Sequence, residues 1–98
     1  MIKIRDSRLI KKLENELLAI RGFEINVENH MKALSESTDD DAVMVLAKAI
    51  AFNKRMIQVS LARAEAMLEL TGFEIDDSGL SVEELEHFTI RLGDVADD

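Results

Sequence analysis

At 98 residues, with 47% apolar residues but only 4% aromatic ones, the chain has the length of one small domain with a modest core. It contains no proline, cysteine, tryptophan or tyrosine, which excludes a disulfide framework and thiol chemistry. The formal charge of −8 is unevenly spread: residues 1–37 carry seven Lys/Arg against six Asp/Glu, whereas residues 64–98 carry Arg91 alone against eleven acidic groups. An end of that sign is repelled by a phosphate backbone, so direct nucleic-acid binding is not expected.

No apolar run approaches the ~20 residues that span a bilayer. The opening "MIKIRDSRLIKKLEN" is too interrupted by charge for a signal peptide, and a cytoplasmic location is expected. An abundance of Ala, Leu, Glu, Lys, Ile and Met without proline favours long helices.

The first element is a helix from about residue 6 to residue 36. Leu9, Leu13, Leu17, Ile20, Phe23, Val27, Met31 and Leu34 recur at spacings of three and four and form one stripe. The stripe crosses Gly22 without losing phase, which favours a continuous helix with Gly22 as a soft point. The alternative is a stop at "RGFEIN" (21–26), with Gly22 as the left-handed cap residue and Leu18 against Phe23. Leu18 and Ile25 lie off the stripe, as a break would explain.

"SESTDDD" (35–41) interrupts the pattern, offers several N-cap residues and supplies aspartates suited to the positive end of a helix dipole. A second helix is expected over about 40–71, antiparallel to the first because the connection is short. Gly72 repeats the glycine–phenylalanine motif, but here "DDSG" comes next, so a true stop is expected with Leu68 facing Phe73. "SVEE" (81–84) reads as a capping box opening a short helix over about 81–92, with Leu85, Phe88 and Leu92 on its apolar side and residues 93–98 as an acidic tail. The expected fold class is all-α: one helical domain over 1–98, a long antiparallel helical hairpin plus a short C-terminal helix, dimerising into a four-helix bundle.

The second helix is apolar over more than half its girth. Val43, Leu46, Ile50, Ile57, Leu61, Ala64 and Leu68 make one stripe; Val45, Ala49, Phe52, Met56, Val59, Met67 and Leu70 make another beside it. One neighbouring helix needs a stripe of only ~100°, so the surplus marks an interaction surface. The simplest occupant is a second copy, giving a homodimer, and seven alanines in this helix would permit close approach. Asn53, Ser60 and Arg63 lie within the wide face. They read as register-fixing and solvent-reaching residues, or as the lining of a subunit-interface pocket for a small anionic or nucleotide-like ligand.

No motif for catalysis emerges. "ELEH" (84–87) has the Glu-x-x-His spacing of di-metal bundles, but Glu84 and His87 share a face away from the apolar side. "EIDDSGLSVEEL" (74–85) fails as a calcium loop, because its twelfth position is Leu85. His30 stands alone, and no glycine-rich phosphate loop or supported nucleophile is present. The chain is therefore read as a non-enzyme without cofactor or metal. The expected function is a protein-binding module, of inhibitor, adaptor, chaperone or immunity type, suiting a bacterial or phage accessory protein. It would dock on a larger partner through Val45, Phe52, Met56 and Val59 and through the acidic Glu83, Glu84, Glu86 and Asp94. The alternatives are oligomeric ligand sequestration by Asn53, Ser60 and Arg63, and acidic mimicry of nucleic acid.

Overall fold

A computed structural model describes residues 7–96, and the side chains of residues 8–90. The architecture is all-α, with three helices and no strand among the described residues: α1 (Ser7–Glu36), α2 (Asp40–Leu70) and α3 (Val82–Ala96). The two long helices pack against each other as a hairpin, and α3 leans chiefly on α1.

Three of the helix boundaries have a local chemical cause. Asp39 adopts an extended conformation and its carboxylate accepts from the Asp41 N–H at 3.2 Å, satisfying one of the donors orphaned at the start of α2. Asp40 and Asp41 then occupy the first turn, where the helix dipole favours negative charge. At the other end Gly72 takes φ 92°, the Gly72 N–H donates to the Glu69 carbonyl at 3.0 Å, and the Phe73 N–H donates to the Leu68 carbonyl at 3.3 Å. That pair of bonds is a Schellman stop, and only glycine adopts this backbone without strain. The capping box at α3 forms in both directions: the Glu84 N–H donates to Ser81 Oγ at 3.1 Å, and the Ser81 N–H donates to Glu84 Oε1 at 3.2 Å.

Gly22 behaves differently from Gly72. α1 runs through it as one 30-residue helix, and a methyl group placed there would meet nothing within 4 Å. Leu18 and Ile25, the two residues off the apolar stripe, are simply exposed. α3 likewise continues through Gly93 to Ala96, past the expected end near Leu92. A lone glycine weakens a helix by roughly 1 kcal/mol but ends it only when its backbone turns left-handed and the freed groups find partners. Of the expected acidic tail, residues 97–98 lie outside the described residues.

The core sits at one end of the molecule. Ile10, Leu13 and Ile20 of α1, Leu61, Ala64 and Leu68 of α2, and Leu80 and Leu85 around the start of α3 are its buried apolar residues. Phe73 and Phe88 close its edge with rings 4.9 Å apart at 77°, the edge-to-face geometry favoured by aromatic quadrupoles. Beyond this three-helix base, between residues 21 and 60, the hairpin is two helices thick, and no apolar side chain there is buried. The molecule measures 54 × 28 × 17 Å with a radius of gyration of 16.6 Å, against the ~13 Å of a compact domain of this length. It is a base with a projecting two-helix arm.

Candidate protein-binding surface

The two apolar stripes of α2 meet different fates. Toward α1 runs an inner seam at alternating spacings of three and four: Leu46, Ile50, Asn53, Ile57, Ser60 and Ala64, each half-buried or buried. One residue earlier at every step, and so rotated by about 100°, lies an outer seam through Val45, Phe52, Met56 and Val59. Val45 is 66% exposed and Phe52 57%, whereas Met56 is half-buried. α3 could have covered this side; instead its weight falls on α1, where Glu86 forms an ion pair with Arg21. Along the arm the outer seam keeps Val45, Phe52 and Val59 exposed, with Ala49 and Met56 half-buried between them.

The polar residues of α2 sort by seam. Asn53 belongs to the inner one: it accepts from Asn26 Nδ2 at 3.2 Å and donates to the Ala49 carbonyl at 2.7 Å. This amide pair favours one alignment of α1 and α2 along their length, because a slip keeps the Ala49 bond within α2 but leaves the Asn53 side-chain oxygen without its donor. Ser60 is buried one heptad further on the same seam. Arg63 belongs to the outer seam. Its side chain is 55% exposed and its guanidinium lies 3.7 Å from Glu16 of α1, whose own side chain is 14% exposed.

These three residues share no cavity. The open groove between the helices, about 320 Å³, is lined by Glu24, Val27, Glu28, Met31, Lys54 and Ile57 instead. The acidic residues are also partly engaged: Glu84 closes the capping box, Glu86 pairs with Arg21, and Glu83 is exposed and free of both duties. Asp94 lies on α3, and its side chain falls outside the described ones. His87 is exposed and His30 half-buried. Among the described residues no three His, Asp or Glu side chains converge as a metal site would require, and no helix is long and apolar enough to cross a membrane.

Within the "DDSG" turn the carboxylate is held locally. Asp76 accepts from the Ser78 hydroxyl and from the Ser78 N–H at 2.9 Å, a turn that keeps its carboxyl below the usual range. Asn26, Glu16 and Arg21, which order the hairpin and seat α3, were not signalled by periodicity. The one clue in the residues was that a buried Asn53 demands a polar partner on the facing helix.

No protein-family model matches the chain, and no curated protein or solved structure matches it either.

Proposed function

We propose that the chain is a non-catalytic protein-binding module, docking through the outer seam of α2 with help from its acidic end. The observation that carries this reading is the row of exposed Val45, Phe52 and Val59, with half-buried Ala49 and Met56 between them, along a helix whose inner side already faces α1. Isolated exposed apolar residues are ordinary, but a continuous row on one element marks an interaction surface. The charge excess over residues 64–98 supplies a second, longer-range attraction: a basic protein surface would be steered toward this end, faster at low salt. An inhibitor, adaptor, chaperone or immunity-type role is compatible with such a docking device.

A photoreactive phenylalanine analogue tests the reading in cells. Placed at position 52 on the outer seam and at position 83 on the acidic end, it should form discrete protein adducts. Placed at position 58, on the wet side of α2, it should form none. Absence of adducts from both 52 and 83, or equal labelling from 58, removes the proposal.

A further inference from the structure

Three features compete for an occupant: the groove beside Lys54, the acidic end, and the outer seam of α2. The groove is open to solvent and one of its two carboxylates, Glu24, is already paired with Arg21; the acidic end is partly spent on the cap and on Arg21. The seam offers more, because its side chains have a pattern that selects a particular partner and orientation.

In heptads, Val45, Phe52, Val59 and Ala66 alternate with Ala49, Met56, Arg63 and Leu70 at spacings of four and three from residue 45 to residue 70. The seam is thus the a/d row of a coiled coil about 38 Å long, set about 100° from the row that faces α1. That angle is what a helix at the corner of a four-helix bundle needs, with one row for each of two neighbours. We infer that the outer seam is occupied by a second copy of this chain, α2 against α2 in antiparallel two-fold register.

The orientation is set by charge. In a parallel pair Arg63 would face Arg63 of the second copy inside the seam, a like-charge contact in a partly dry setting. In the antiparallel pair centred between Met56 and Val59, Arg63 of one copy faces Phe52 of the other. There the guanidinium can lie on the ring while Glu16 continues to neutralise it. The same register sets Ala49 opposite Ala66, leaving room for the backbones to close, and sets Val45 opposite Leu70. On the wet flank of the seam it brings Lys48 to Glu69 of the second copy, twice by symmetry.

The exposed parts of Val45, Phe52, Val59 and Leu70, with their neighbours Ala49, Met56 and Ala66, would bury on the order of 1,000 Å² across both copies, the lower limit for a specific interface. The inference rests on the reading that this seam binds protein, and it names the partner.

Because the sequence contains no cysteine, pairs can be mapped with introduced thiols. By light scattering the full chain should have twice its mass of 11.0 kDa, and Phe52→Glu should return it to 11.0 kDa with helical content unchanged. Ala49→Cys mixed with Ala66→Cys should give a disulfide-linked pair under oxidised glutathione. Ala49→Cys alone should not, because its two copies would stand about 25 Å apart. Lys48→Glu should weaken association about tenfold, and Lys48→Glu with Glu69→Lys should restore it.

Cross-linking of Ala49→Cys alone, or failure of the charge reversal to recover affinity, overturns the antiparallel register. A chain that stays at 11.0 kDa while position 52 still captures a different protein overturns self-pairing and leaves the docking function standing. A single-copy chain with no adduct at 52 removes both.

Discussion

Gly22 and Gly72 stand in the same four-letter context, yet one lies inside a helix and the other ends one. The residues downstream make the difference. After Gly22 the apolar spacing resumes in phase, so continuing the helix buries more than stopping it would. After Gly72 the rhythm gives way to a turn, and the left-handed glycine lets two carbonyls of α2 find donors. Gly22→Ala should therefore raise stability by about 0.5–1 kcal/mol, because the position is exposed, helical and free of neighbours. A thermal midpoint increased by roughly 3–8 °C is the expected reading. At Asp76 the folded carboxyl titrates below its unfolded value, so its contribution is complete above the ordinary carboxylate pKa and is lost as pH falls through the folded one. In Ser78→Ala the Asp76 midpoint, followed by carboxyl NMR, should move up toward the ordinary value, since the hydroxyl bond is its largest cause.

Among the elements, α3 shows how a short amphipathic helix selects its seat. Its capping box and its apolar side, with Leu85 fully buried, were legible in the residues, because both are local patterns. Which long helix it would lean on was not, because that depends on the path of residues 71–81 and on the Arg21–Glu86 pair, set 65 positions apart in the chain. Leu85→Ala should cost about 2–5 kcal/mol, since it empties a site where three helices meet. The loss is measurable by urea unfolding, with a smaller effect expected for the exposed Ile90→Ala. The wide face of α2 divides the same way. Its breadth was plain from periodicity, but assigning Asn53 and Ser60 to the α1 side and Arg63 to the outer side required knowing where α1 lies.

For the whole molecule, the uneven distribution of buried apolar residues implies uneven local stability. Amides of Leu13, Ile20, Leu61 and Leu68, in the three-helix base, should exchange with solvent most slowly. Amides between residues 27 and 53, in the two-helix arm, should exchange faster in Phe52→Glu than in the unaltered chain, and their protection should grow with protein concentration. Equal exchange along α2, independent of concentration and of position 52, would show that the arm needs no cover. The elongated shape has the same origin. A radius of gyration several ångströms above that of a compact domain reflects the two-helix arm, where no apolar side chain is buried.

From its sequence alone the chain was determined to be helical, turned back once, stopped by a Schellman glycine and restarted by a capping box. Each of these is decided by residues a few positions apart, through hydrogen-bond geometry and the helical repeat. Only the tertiary structure decided that α3 settles on α1, that Asn26 meets Asn53, and that Val45, Phe52 and Val59 on the outer row of α2 are left exposed. Those outcomes depend on contacts between distant segments, where several packings satisfy the same local pattern and the buried side chains select among them.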